Sequence, residues 1–129
     1  MTMRAAVCVL AMVMVAGVGV NRARGQGIPG GQGAPIPIVF VHGNGDDAAK
    51  WIGIIELFES NEYPKDRLYA IRFTNPSART DDTKEEAFRS STIDVAAELS
   101  GFVTRVLLET HSTKVALVGS SRGGMTIRN

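Results

Sequence analysis

The chain has 129 residues, 44% hydrophobic and 21% charged, the composition of a globular protein of one small domain. Its 14 Lys and Arg against 13 Asp and Glu leave a net charge of +1, which excludes the strongly basic stripe that nucleic-acid binding requires. A single cysteine, Cys8, excludes a disulfide framework and a cysteine-built metal site.

Arg4 precedes a charge-free run over residues 5–20, and Ala23, Arg24 and Gly25 form a small-x-small pattern. That layout predicts a secretory signal peptide over 1–25 and hence a secreted or periplasmic protein. Left uncleaved, the run approaches the ~17 residues with which a helix can span a bilayer, the one case that brings in a membrane. Cys8 lies near the start of the run and not after it, so lipid attachment at the cleavage point is not expected. Loss of Arg4, Arg22 and Arg24 leaves 11 positive against 13 negative charges, a mildly acidic module. Residues 26–34 (QGIPGGQGA) carry too little side chain to pack and predict a flexible leader. The folded unit is then 35–129.

Residues 36–41 (IPIVFV) are a nearly continuous branched apolar run, the pattern of a strand buried on both faces of a parallel sheet, with Pro37 near its start. A turn-forming cluster, residues 42–47, comes next. Trp51, Ile54, Ile55 and Phe58 then recur at i, i+3, i+4 and i+7, one helix face, with Asp46 or Asp47 as N-cap. Residues 68–73 (LYAIRF) predict a second strand. The polar stretch 74–90 is a long loop, part of which is expected to be helical because Thr83 and Glu86 fit a capping box. Ser91 and Asp94 fit another, opening a helix to about residue 109 with Val95, Leu99, Phe102, Val103 and Val106 on one face. Gly101 within it is expected to permit close packing on the sheet. Residues 114–118 (KVALV) predict a third strand, and a further helix comes after residues 119–124. The order β-α-β-α-β-α predicts a three-layer α/β fold with right-handed crossovers.

Gly119-Ser120-Ser121-Arg122-Gly123 is G-x-S-x-G between a buried strand and a helix. A serine held on a sharp strand-to-helix turn needs residues without side chains two positions before and after it. Ser121 is then an exposed nucleophile, and the Arg122 backbone N–H, at a helix N-terminus, is placed for the oxyanion of a tetrahedral intermediate. The loop after the first strand opens on the same sheet edge. There Gly43 and Gly45 let backbone donors approach a substrate, and Asn44 adds an N–H. His42 is read as a packed loop histidine, Trp51 as helix core, and Asp46-Asp47 as a cap. Neither phosphate-loop nor calcium-loop spacing is present, and acyl transfer through a serine needs no metal or organic cofactor, so none is expected.

The stretch PIVFVHGNG, a tryptophan soon after it, and KVALVGSSRGG behind an amphipathic helix resemble the α/β-hydrolase-fold serine esterases, and most of all the class 2 lipases. The resemblance covers residues 35–129. It implies Ser121 as nucleophile, the Asn44 and Arg122 amides as the oxyanion hole, and an ester or lipid substrate. Ser120 stands where many relatives carry a histidine.

In that family the triad acid and histidine come after the nucleophile in chain order. Only six residues succeed Gly123, and His42 and His111 are expected too far from Ser121, in the oxyanion loop and at the opposite sheet edge. The expectation is therefore an amino-terminal fragment, truncated after the nucleophile-bearing strand and turn, with one sheet face uncovered, poorly stable and inactive alone. Two functions compete: an exported serine hydrolase of carboxylic esters, including the polyester depolymerases, and a non-catalytic protein that binds a ligand or partner on a hydrolase scaffold.

Overall fold

Strand β1, Ile38–Val41, is buried along its whole length because it lies at the centre of a three-stranded sheet. The computed structural model describes residues 33–129. The expected signal segment 1–25, and all but the last two residues of the expected leader 26–34, lie outside the described residues. Beyond β1 come the helix α1 (Ile52–Ser60), strands β2 (Leu68–Ala70), β3 (Ser77–Ala78) and β4 (Arg89–Ser90), helix α2 (Thr92–Glu109), strand β5 (Ala116–Gly119) and the short helix α3 (Arg122–Thr126). The sheet order is β2-β1-β5 and both pairings are parallel, with Phe40 opposite Ala70 on one side and Val118 on the other.

The period-2 alternation of β1 divides the core. Ile38 and Phe40 pack with Trp51, and Ile55 and Phe58 of α1 close over them. Val39 and Val41 pack on the other face with Val95, Leu99 and Val106 of α2. Both faces are thus covered, a three-layer α/β-hydrolase-type sheet, which corrects the expectation of an open face: α1 and α2 fall on opposite sides of the same strand. β2 and β5 are its outer strands.

Of the two N-cap candidates the structure selects one, and several other local expectations are corrected. Asp47, and not Asp46, caps the first helical turn, its Oδ1 accepting from the Ala49 N–H at 2.8 Å, while Asp46 pairs with Lys50 at 3.0 Å. That first turn, Ala48–Trp51, is a 3₁₀ helix. Ile55 and Phe58 of α1 pack with Trp51, but Ile54 is 41% exposed instead of sharing that face. β2 ends at Ala70, although Ile71 and Phe73 remain buried beyond it. Gly101 faces open space, with nothing within 4 Å of an added Cβ, so it permits no close approach.

Residues 74–91 contain no α-helix. The Thr83–Glu86 capping box does not form; the Glu86 carboxylate instead accepts from the Thr80 N–H and hydroxyl at 2.6 and 2.5 Å. The loop is organised by the parallel pair β3–β4, Ser77 opposite Arg89 and Ala78 opposite Ser90. The second capping box is formed: the Ser91 N–H donates to Asp94 Oδ2 at 2.7 Å and the Asp94 N–H to Ser91 Oγ at 3.1 Å.

Candidate active site

Because β1 and β5 run parallel and adjacent, the loops after Val41 and after Gly119 emerge side by side at one edge of the sheet. Ser121 caps α3 with φ 55° and ψ −123°. This is a left-handed backbone that a residue with a Cβ adopts only under strain, at a cost of about 1–3 kcal/mol. The glycines on either side allow the turn. A Cβ on Gly119 would lie 2.6 Å from Ile127 Cδ1 and 2.7 Å from the Gly123 carbonyl carbon. One on Gly123 would lie 2.6 Å from the His42 carbonyl oxygen and collide with that of Val41. The spacing of G-x-S-x-G is thus the spacing at which this turn touches the sheet and its own helix.

Gly43 is pressed against the same turn: a Cβ there would be 3.2 Å from Ser121 Cβ and 3.7 Å from Ser121 Oγ. Ser121 itself is exposed, and its hydroxyl makes no hydrogen bond among the described residues. The Asn44 and Arg122 backbone N–H groups likewise have no acceptor among the described residues. Asn44, Ser121 and Arg122 line one open cleft of about 700 Å³, together with Ala78, Thr80 and Met125. The cleft therefore brings together the three residues singled out from the sequence: an unpartnered hydroxyl and two residues with unpartnered amides.

His42 is not among them. Its ring is 1% exposed and stacks edge-on with Phe73 at 5.0 Å. The Phe73 N–H donates to Nε2 at 3.4 Å, which assigns the ring proton to Nδ1, 3.0 Å from the Gly43 carbonyl oxygen. Both nitrogens are occupied, as expected of a packed histidine. His111 lies just past α2 at the other end of the sheet, in a pocket with Ile36, Arg67 and Lys114, residues that precede the three strands. Trp51 is core, 8% exposed.

The Arg122 side chain is the feature that the sequence did not disclose. Its guanidinium donates from Nη1 to the Pro76 carbonyl at 3.3 Å and to Ser90 Oγ at 3.0 Å, and from Nη2 to the Ser90 and Ser91 carbonyls at 2.7 and 3.1 Å. Ser90 Oγ in turn donates to the Asn75 carbonyl at 2.6 Å. The acceptors are mostly main-chain atoms distant in sequence, for which no residue pattern exists. Nearby, hydrogen bonds from the Ser91 backbone and hydroxyl, and then the charges of Arg79 and Arg122, hold the Asp94 carboxyl below its ordinary value of 3.8. The Thr80 hydroxyl does the same for Glu86.

A parallel sheet covered by helices on both faces, with a strained serine at a strand-to-helix turn on its carboxyl edge, is an α/β-hydrolase architecture. The family model described as Lipase (class 2) matches residues 35–129, and the chain belongs to that family. Membership carries a hydrolase function of the esterase type and small-molecule ester or lipid substrates in general.

Proposed function

We propose that this chain is the nucleophile-bearing part of an exported serine hydrolase that cleaves carboxylic esters through an acyl-enzyme on Ser121. The observation that carries the reading is the backbone of Ser121 at φ 55° and ψ −123°, which lifts an unbonded hydroxyl into the cleft. A binding module gains nothing from a residue held at that energetic cost.

In this reading Ser121 Oγ attacks the ester carbonyl carbon and yields its proton to a base. The carbonyl oxygen becomes an anion received by the Asn44 N–H, in the loop after β1, and the Arg122 N–H, at the first residue of α3. Collapse of the intermediate breaks the bond to the alcohol oxygen, which leaves with the proton, and water then releases the acid from Ser121. Within residues 33–129 neither histidine serves as the base, since both His42 nitrogens are engaged and His111 lies at the far edge. The base and its acid partner are therefore assigned to residues outside that range. Export rests on the charge-free run 5–20 flanked by Arg4 and the small-x-small pattern at 23–25.

The test is covalent labelling of the full-length protein by a serine-reactive fluorophosphonate. Labelling and ester hydrolysis lost together in Ser121→Ala are the expected result. Undiminished hydrolysis by that variant would remove Ser121 from the chemistry, and a full-length protein that never labels would favour the binding reading.

A further inference from the structure

We propose that the Arg122 side chain is a positioning residue for ester hydrolysis, setting the separation of the two amide donors by tying the Ser121 turn to the segment that also holds the Asn44 loop. The inference rests on the ester-hydrolase reading above and assigns a task to a side chain which that reading leaves unused.

The shared segment is residues 76–78. On the turn side, Arg122 Nη1 donates to the Pro76 carbonyl. On the loop side, the Gly45 N–H donates to the same oxygen at 3.1 Å, and the Ala78 N–H donates to Asn44 Oδ1 at 2.7 Å. A carbonyl oxygen has two lone pairs, and that of Pro76 accepts one donor from each side of the cleft. The residues whose main-chain amides are proposed to receive the oxyanion are thus each fastened, by a side chain of their own, to one short stretch of backbone. Ser90 completes the frame by joining Arg122 to the Asn75 carbonyl.

The chemistry of the contact favours arginine over any other residue. A guanidinium presents N–H donors in a planar fork and reaches Pro76, Ser90 and Ser91 at once; a lysine ammonium is a single point on a flexible stem. Arg122 forms no ion pair with a carboxylate among the described residues, so its contacts are directed at main-chain geometry. The β3–β4 pair it braces is two residues long per strand, too short to hold the loop by ladder bonds alone. Catalytic donors must be held within about 0.5 Å of the productive arrangement, and a 1 Å misplacement can cost about 100-fold in rate.

The experiment compares Arg122→Met, Arg122→Lys, Arg122→Ala and Ser121→Ala in the full-length enzyme, using a p-nitrophenyl ester and a boronic acid that mimics the tetrahedral intermediate. Arg122→Met is expected to lose about 100-fold in kcat with KM within about threefold, and to lose boronate affinity by a similar factor. Arg122→Lys is expected to lie between wild type and Arg122→Met, and added guanidinium ion to restore part of the kcat of Arg122→Ala. A kcat and boronate affinity in Arg122→Met within threefold of wild type would overturn the proposal while Ser121→Ala remains dead. So would a loss of activity in Arg122→Ala that guanidinium does not restore, since that assigns the side chain to stability alone. If Arg122→Met does not fold, the comparison of Arg122→Lys with wild type decides: equal kcat overturns the positioning role. Hydrolysis by Ser121→Ala would instead bring down the function reading beneath it.

Discussion

Gly123 rests directly on the end of β1: the position its Cβ would occupy collides with the Val41 carbonyl oxygen and lies 2.6 Å from that of His42. The turn bearing Ser121 and the loop bearing Asn44 are therefore in backbone-to-backbone contact, and the depth of the contact fixes how far the serine stands above the sheet. Gly123→Ala is expected to force the two apart, costing about 3 kcal/mol, at the upper end of ordinary overpacking, and to abolish ester hydrolysis. Gly119→Ala is expected to behave alike, because its Cβ meets Gly123 and Gly124 main chain at 2.7 Å. Thermal unfolding and activity of both variants check this, and full activity in either would contradict the close approach.

Gly101 has the opposite character. It is exposed in the middle of α2, and an added methyl meets nothing within 4 Å. Gly101→Ala is expected to stabilise the protein by about 0.5–1 kcal/mol through the lower backbone entropy of the unfolded chain, with no change in activity. Denaturant unfolding measures it; a destabilised variant would mean that α2 packs more closely at this point.

The contrast among these glycines shows what the sequence makes legible. Gly119, Gly123 and Ser91 are each signalled within one short window, the glycines as the flanks of a G-x-S-x-G pattern and Ser91 by the carboxylate three residues on, although the contacts that demand Gly123 lie on Val41 and His42, distant in sequence. Thr83 and Glu86 carry a capping pattern as good as that of Ser91 and Asp94, yet no helix forms. The difference lies downstream, where Val95, Leu99 and Val106 give α2 a stripe to bury, while Phe88 is 88% exposed. A cap does not stabilise a helix that has nothing to pack against. The Arg122 side chain is illegible in the sequence because its partners, three main-chain carbonyls and the Ser90 hydroxyl, lie 31 to 46 residues away and are reached only once the sheet has formed.

The α2 cap gives the molecule an acid-sensitive joint. The Asp94 carboxyl is held below its ordinary value of 3.8, first by the Ser91 backbone N–H. A carboxyl depressed on folding contributes stability that is fully present above that ordinary value and is lost as pH falls through the lower folded value. The midpoint of thermal unfolding is thus expected to drop as pH is taken below 3.8, with Glu86, depressed from 4.5 by Thr80, acting in the same direction. In Asp94→Asn the acid-side slope should flatten. Ser91→Ala, which removes the other half of the box, is expected to cost about 1 kcal/mol at neutral pH. An unchanged acid slope in Asp94→Asn would show that the cap is not what titrates.

Ser121 itself separates stability from function. At φ 55° and ψ −123° its Cβ is a source of strain worth about 1–3 kcal/mol, which alanine at the same position keeps and glycine relieves. Glycine also returns about 0.5–1 kcal/mol of unfolded-state entropy, so the two effects oppose. Ser121→Gly is then expected to exceed Ser121→Ala in stability by about 1 kcal/mol, and both are expected to be dead toward esters and unlabelled by a fluorophosphonate. Urea unfolding of the two variants side by side decides the matter without any substrate. If alanine proves as stable as glycine, the turn stores no strain, and the observation on which the nucleophile assignment rests loses its force.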